Sequence, residues 1–246
     1  MHEQPVHILS TRPLPFALVE HAAKLGVVVD ILTFIDVRPL PVEQVKPLLD
    51  PVTAEKAIVV FTSMNAVEAI GGMIDKRPEW KIYCIGRQTR TLVEQYFGTD
   101  SIAGTAESAG QLAMRILEDG VRGKLYFFCG DRRRDELPGK LREQGIAVDE
   151  RVVYETKELP GIIERPYDGI LFFSPSAVSS FFKSNNAGAG TILFAIGKTT
   201  AEEIRKYSNN RIHISEQAGK EQLLDEAVTC FRPGTTLRAE GPQWDN

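Results

Sequence analysis

The sequence has few of the residues that build metal sites and disulfide frameworks. Its 246 residues include 3 cysteines and 4 histidines, and neither type recurs at a ligand spacing. An odd number of irregularly spaced cysteines argues against a disulfide scaffold and a zinc site, so we expect Cys84, Cys129 and Cys230 to be buried small hydrophobes. We also expect His7 and His213 to be strand residues, and we predict no metal site.

The sequence also lacks an excess of basic residues, and it lacks long apolar runs. The chain has 29 Lys and Arg against 33 Asp and Glu, a formal net charge of -4. This balance argues against a nucleic-acid partner, and an anionic ligand would need a local site that overrides the global sign. No apolar run approaches the roughly 18 residues that span a bilayer, and the N-terminus does not resemble a signal peptide. We therefore expect no membrane partner and a cytoplasmic location.

Short apolar runs alternate with segments whose apolar residues recur at helical spacing. Leu112, Ala113, Ile116 and Leu117 form one such helical stripe. The apolar runs predict strands at 7–9, 27–34, 57–61, 82–85, 101–103, 124–128, 148–154, 169–173, 192–196 and 211–214. Strands that alternate with helices of about 10–15 residues predict an α/β protein with parallel sheets.

An internal repeat organises these segments. FTSMNAV at 61–67 aligns with FFSPSAV at 172–178, and the same offset of 111 carries Thr89 onto Thr200. A weaker offset of 119 relates 25–30 to 144–149. The chain is thus predicted to contain two copies of a strand–helix–strand unit, each followed by a unit of three strand–helix pairs. One unit of each kind makes a doubly wound, flavodoxin-like sheet, although the repeat does not decide which copies pack together.

Hydroxyl and small residues follow many of the predicted strands. In doubly wound sheets this edge holds the N-termini of the following helices, whose free N–H groups favour anions. Helix capping is the alternative explanation for each of these residues taken singly. Six such loops in a repeated chain favour a large, multiply anionic ligand, held in one cleft if the two domains face each other.

Several strings along 7–231 resemble those of the uroporphyrinogen-III synthase family in the same order. They are STRP, VVFTSMNAV, CIGRQT, CGDRRRDELPGKLREQGIAVDERVVYET, LFFSPSAV and AIGKTTAEEI. The resemblance implies a crossed arrangement, with one domain formed by 1–36 plus 157–246 and the other by 37–156. Segments 33–41 and 154–160 would then lie side by side as a two-segment hinge, and the prolines in both suit semi-rigid linkers.

The same resemblance implies a cofactor-free lyase. Its substrate would be hydroxymethylbilane, a linear tetrapyrrole with carboxylate side chains that the preceding enzyme of the pathway would hand over. Loss of the terminal hydroxyl as water would be followed by ring closure with inversion of ring D, giving uroporphyrinogen III. Catalysis would rest mainly on positioning, and we expect a monomer.

The matching strings also imply functional residues. Tyr154 matches the tyrosine of the family string VYxT and is the candidate acid, although a phenol with a pKa near 10 is a weak one. Asn65 stands where family members often have arginine, which removes one cation from that loop. The candidate substrate-binding residues are Thr11, Arg12, Ser63, Asn65, Thr89, Arg132, Ser174, Ser176, Lys198, Thr199 and Thr200.

Two other functions fit the same fold. A non-catalytic two-domain module for anionic ligands is the first alternative, because fold alone does not determine function. A flavin-binding electron carrier is the second, but the loop after the first strand has Pro13 in place of a Ser/Thr-rich phosphate loop. The polar tail at 232–246 is predicted to be disordered.

Overall fold

The computed structural model describes residues 5–215 and 219–231, so the predicted tail and His2 lie outside the described residues. The chain divides into two compact units: unit 1 contains the chain up to Asp36 and from Glu158 onward, and unit 2 contains Val37–Lys157. The elements in chain order are β1 Val6–Ser10, α1 Phe16–Lys24, β2 Val27–Ile31, β3 Ile35–Pro39, α2 Val42–Thr53, β4 Ala57–Phe61, α3 Met64–Gly71, β5 Trp80–Ile85, α4 Arg87–Phe97, a 3-10 turn Thr99–Ser101, β6 Ile102–Ala106, α5 Ala109–Glu118, β7 Lys124–Gly130, α6 Glu136–Glu143, β8 Ala147–Glu158, β9 Gly169–Phe172, α7 Pro175–Phe182, β10 Ile192–Ala195, α8 Lys198–Arg205, β11 Ile212–Ile214 and α9 Lys220–Cys230.

Unit 1 is built on a five-stranded parallel sheet in the order β11-β10-β9-β1-β2. Ile8 of β1 lies opposite Gly169 of β9, which confirms the predicted pairing of the first strand with the C-terminal half of the chain. Helices α1 and α9 cover one face of the sheet, and α7 and α8 cover the other. The strand order changes direction between β1 and β9, so the helices that follow these two strands lie on opposite faces.

Unit 2 contains a six-stranded sheet in the order β3-β8-β7-β4-β5-β6. Strands β8, β7, β4, β5 and β6 are parallel, as the repeat predicts. One face packs against α2, α3 and α4, and the other packs against α5 and α6. Here the change of direction falls between β4 and β7, and α3 and α6 leave these strands on opposite faces.

Segments 33–41 and 154–160 lie side by side as predicted, but they are paired in the strands β3 and β8 and are not linkers. The Leu40 N–H donates to the Val153 carbonyl, and the Leu159 N–H donates to the Phe34 carbonyl, both at 2.9 Å. The residue paired with Phe34 is Leu159 and the residue paired with Leu40 is Val153, so the two strands run antiparallel. Strand β8 continues to Glu158. The strand predicted at 27–34 is shorter in the structure, where β2 ends at Ile31. Proline is tolerated in β3 because an edge strand can leave backbone positions unpaired.

The weaker repeat is visible in the backbone. Gly26 and Gly145 each follow the last turn of a helix, α1 and α6, with φ of 80° and 77°. This left-handed conformation is the usual helix stop, and glycine adopts it without a steric penalty. The same turn therefore returns the chain into β2 in one copy and β8 in the other.

Two of the three cysteines are buried as predicted, whereas Cys230, at the end of α9, is only partly buried. Cys84 and Cys129 are fully buried in β5 and β7, where burial raises the pKa of each thiol to about 11. His7 and His213 lie in β1 and β11. Across residues 5–215 and 219–231, no helix is long and apolar enough to cross a membrane.

Candidate active site at the carboxyl ends of the strands

The predicted site residues lie where parallel strands of the two sheets end, with one exception, Tyr154 within β8. Unit 1 contributes Thr11, Arg12, Ser174, Ser176, Lys198, Thr199 and Thr200, and unit 2 contributes Ser63, Asn65, Thr89, Arg132 and Tyr154. At a switch point such as β1/β9 or β4/β7, the two following helices diverge and leave a crevice at the carboxyl edge. Each unit therefore has its own candidate crevice.

Six helix N-termini at these edges have no acidic residue in the first turn, whereas α6 and α9 have Glu136 and Glu221 there. The first turns of α1, α3, α4, α5, α7 and α8 contain neither Asp nor Glu. Proteins usually enrich acids there because the N–H groups and the helix dipole attract negative charge. The absence of acidic residues from these six first turns keeps the donors available for an external anion.

Ser63 and Ser174 cap equivalent helices in the two units. The Ser63 Oγ accepts the N–H of Asn65 at 3.2 Å at the start of α3, and the Ser174 Oγ accepts that of Ala177 at 3.2 Å at the start of α7. The capping role that the sequence offered as the alternative is therefore real at both serines. Ser176, in the first turn of α7, is half-buried.

Helices α4 and α8 begin without a side-chain cap. Gly86 and Gly197 precede them, and each helix opens with a cation, Arg87 and Lys198. Both cations are exposed, and neither forms an ion pair with any residue in the described part of the chain. A cation in the first turn opposes the helix dipole, so its presence costs stability unless an anion binds beside it.

Arg87 is a residue that the sequence reasoning missed. The offset of 111 that relates the two copies carries Arg87 onto Lys198, and this signal was sufficient to find it. Thr89 and Thr200 occupy the same repeated position two residues further on, and both are buried. Thr199 is exposed at the start of α8.

The loop after β1 is held partly by hydrogen bonds within the loop and to β9. Thr11 is buried, and its hydroxyl donates to the Leu171 carbonyl at 2.7 Å, joining β1 to the end of β9. Arg12 is half-buried, and its carbonyl accepts the Ser10 hydroxyl at 2.6 Å. No acidic residue in the described part of the chain pairs with the Arg12 guanidinium, so this group is available to bind an external anion.

Tyr154 lies in β8 beside the carboxyl end of β7, half-buried near the start of α3. Burial raises the pKa of its phenol above the usual 10.0, and the nearby Asp131 carboxylate raises it further. Hydrogen bonds with the side chains of Ser63 and Asn65 act in the opposite direction. Because burial is the largest effect, the phenol keeps its proton at neutral pH, and the raised pKa makes it a weaker acid than a free tyrosine.

A cavity of about 590 Å³ adjoins Tyr154 within unit 2. Its polar lining comes from Tyr154, Asn65 and Glu68. The remaining wall is formed by Val37, Pro39, Leu40, Pro41, Val42, Ala69, Gly72 and Met73. An apolar cavity with a few convergent polar groups is the usual form of a small-molecule site.

The arginines that follow β7 lie in different environments. Arg133 forms an ion pair with Glu150, which also binds Arg142. Arg132 is exposed on the loop between β7 and α6. Within 5–215 and 219–231, no three His, Cys, Asp or Glu side chains are grouped to hold a metal ion.

Comparison with known proteins identifies the family to which the chain belongs. The model of the family described as uroporphyrinogen-III synthase HemD matches residues 17–225. A curated relative, the uroporphyrinogen-III synthase of Saccharomyces cerevisiae, is 24% identical over 202 residues, covering 68% of this chain and 74% of the relative.

Solved structures give the same fold. A mutant uroporphyrinogen III synthase from Thermus thermophilus superposes with a TM-score of 0.66 at 14% identity, over 92% of this chain and 100% of that chain. The uroporphyrinogen-III synthetase of Helicobacter pylori gives a TM-score of 0.63 at 19% identity, over 92% and 99%. At these identities the likeness establishes the α/β fold with parallel sheets.

Proposed function

Because the chain belongs to the uroporphyrinogen-III synthase family, we propose that it cyclises hydroxymethylbilane to uroporphyrinogen III, acting as a lyase that releases water. The reaction removes the terminal hydroxyl of the linear tetrapyrrole and leaves an electrophilic azafulvene. The substituted carbon of ring D then attacks, and the resulting spiro intermediate rearranges with ring D inverted. Family membership does not favour the alternative of a non-catalytic binding module.

Tyr154 is the residue that we assign to proton transfer. Its phenol donates a proton to the departing hydroxyl, so that water leaves instead of hydroxide. Rearomatisation of ring D, the attacking pyrrole, later releases a proton, which restores the phenol. The observation that supports this role is the place of the phenol, which is partly buried on the α3 side of the sheet within hydrogen-bonding reach of Ser63 and Asn65.

Binding of the substrate rests on its carboxylates. We propose that each unit binds such groups at its own carboxyl edge, through the helix N-termini that lack acidic residues and through Arg12 and Lys198 in unit 1 and Arg87 in unit 2. Each exposed contact with a helix N-terminus contributes about 0.3–1 kcal/mol, so several are needed to hold a polyanion on a chain of net charge -4. The cavity beside Tyr154 has an apolar wall that suits a pyrrole ring, with Glu68 able to accept its N–H.

The product isomer is controlled by conformation. In water the open tetrapyrrole closes without inversion, so the protein must make the substituted carbon the nearest nucleophile. Holding two reacting groups in one geometry is the part of catalysis that needs no strong acid or base. The unpaired cations and helix ends supply fixed points for the carboxylates that surround the reacting carbon.

The test is incubation of the purified protein with freshly prepared hydroxymethylbilane, followed by chromatographic separation of the type I and type III isomers. We expect predominantly type III product, and type I product in a reaction without protein. A type I product alone, formed at the rate of the protein-free reaction, would refute the proposed activity. A non-catalytic module would instead bind the product without changing the isomer ratio.

A further inference from the structure

A bulge in β8 determines where Tyr154 points. Along the pair β7–β8, Cys129 lies opposite Val152, but the next residue, Gly130, lies opposite Tyr154. Val153 is therefore an extra residue, which interrupts the register of the ladder. Bulges of this kind bend a strand and redirect a side chain, and they are frequent beside active sites.

The bulge changes the face on which Tyr154 lies. Val152 packs against the cluster on the α5 and α6 side of the sheet, whereas Val153 packs against the α3 side. In a regular strand, alternation would return Tyr154 to the side of Val152. Tyr154 instead packs on the same side as Val153, where Ser63 and Asn65 begin α3.

Gly130 provides the space that this placement requires. A Cβ atom at Gly130 would lie 2.4 Å from both Cε2 and Cζ of Tyr154 and 2.8 Å from its Oη. These distances are far below van der Waals contact, so the phenol ring lies directly on the Gly130 backbone. Gly130 is not among the described glycines with positive φ, so glycine is needed here for space and not for backbone conformation.

Asp131 forms two hydrogen bonds with the backbone of β8, one at Tyr154 and one at Thr156. Its backbone N–H donates to the Tyr154 carbonyl at 3.2 Å, and its Oδ1 accepts the N–H of the buried Thr156 at 2.9 Å. One residue thus binds the backbone at the tyrosine and two residues beyond it. The strand cannot shift by one residue without breaking both bonds.

We propose that Gly130 and Asp131 are positioning residues that hold the Tyr154 hydroxyl beside Ser63 and Asn65 in the geometry of proton donation. This inference rests on the proposed function, in which Tyr154 is the acid. Gly130 acts by giving the ring a place to lie, and Asp131 acts by fixing the bulge that directs the ring towards α3.

The geometry can be measured without substrate. Protein labelled with 3-fluorotyrosine gives one fluorine resonance for each tyrosine, and the resonance of Tyr154 is identified by its loss in Tyr154→Phe. We expect Gly130→Ala to shift this resonance and Gly190→Ala to leave it in place. Gly190 is the matched control because nothing lies within 4 Å of a Cβ built there. An unmoved Tyr154 resonance in Gly130→Ala would overturn the inference.

Turnover separates positioning from a general loss of structure. Displacement of a catalytic group by about 1 Å can cost about 10²-fold, so we expect Gly130→Ala to lower kcat by about 10- to 100-fold with KM within about twofold. In a Tyr154→Phe background, Gly130→Ala should cause no further loss, because no hydroxyl remains to be misplaced. Equal losses in the two backgrounds would show a merely structural role.

Asp131 offers a conservative variant for the same test. Asp131→Asn keeps an oxygen that can accept the Thr156 N–H, so we expect it to retain most of the kcat that Asp131→Ala loses. Equal losses in the two variants would exclude the backbone clamp as the function of this residue. If the unmodified protein gave no type III product, the proposed function would fail, and the fluorine spectra would still decide whether Gly130 and Asp131 place the ring.

Discussion

Arg87 and Lys198 occupy the same position in two copies of one repeated segment, 111 residues apart, and each is the first residue of a helix at the carboxyl edge of a sheet. Both helices follow a glycine and lack an acid in the first turn. A cation repeated at a position that the helix dipole disfavours indicates a site for negative charge.

Removal of either charge should therefore weaken substrate binding. We expect Arg87→Gln and Lys198→Gln each to raise KM about two- to fivefold, the equivalent of about 0.3–1 kcal/mol, with little change in kcat. Steady-state kinetics at two salt concentrations measure this effect, which should shrink as salt rises. Lys81→Gln is the control, because Lys81 is an exposed cation within β5. An equal effect of all three substitutions would assign the binding to bulk charge.

Tyr154→Phe should lower kcat while leaving product affinity and the unfolding midpoint nearly unchanged. Acid assistance typically contributes about 10²–10⁴-fold, and we expect the lower end or less because the electron-rich pyrrole already activates the leaving hydroxyl. The product should remain mostly the type III isomer, since the carboxylate contacts are intact. Wild-type turnover in Tyr154→Phe would remove the phenol from the mechanism and leave substrate folding as the source of catalysis.

Ser63 and Ser174 form a matched pair for separating capping from catalysis. Both serines cap a helix, so we expect Ser63→Ala and Ser174→Ala each to lower the free energy of unfolding by about 1 kcal/mol. Only Ser63 also contacts Tyr154, so kcat should fall in Ser63→Ala, whereas Ser174→Ala should act on KM. Denaturant unfolding and kinetics on the same preparations measure both effects. An equal fall of kcat in the two variants would contradict the contact with the phenol.

The strand pairing could be predicted from the sequence, but the bulge that places Tyr154 could not. Repeated strings and apolar runs identified which strands exist, and the similarity of the family strings indicated how the copies pair. The bulge depends on one extra residue, Val153, measured against the neighbouring strand β7, and no local pattern in β8 marks it. The edge strand Ile35–Pro39 was missed because Pro39, with Pro41 just after the strand, resembles the prolines of a linker, although an edge position tolerates proline.

Asp149 should give the stability of the protein a defined response to acid. Its carboxylate binds Arg151 at 2.8 Å and Lys124 at 2.9 Å, and the hydrogen bond from Arg151 is the main reason that its pKa lies below the usual 3.8. The unfolded chain therefore takes up a proton at Asp149 before the folded chain does as the pH falls. This contribution to stability is fully present above about pH 4–5 and is lost as the pH falls through the lowered pKa of the folded state.

The comparison of wild type with Asp149→Asn tests this response. We expect the variant to be less stable at pH 7, with the difference in unfolding free energy narrowing below about pH 4. Asp75→Asn is the control, because Asp75 is exposed and forms no ion pair within the described residues. A difference that stayed constant from pH 7 to pH 3 would show that the ion pairs do not set the pKa of Asp149.

The strand order of unit 1 has a consequence for the growing chain on the ribosome. β1 and β2 pair in a sheet whose other strands are β9, β10 and β11, and the ends of β2 and β11 are 183 residues apart. Translation at roughly 5–20 residues per second needs roughly 9–37 s to cover that interval. The sheet of unit 2, which is contiguous from β3 to β8, can be completed within it. The strands that are synthesised first therefore belong to the sheet that is completed last. They remain without their partners β9, β10 and β11 while the whole sheet of unit 2 is synthesised.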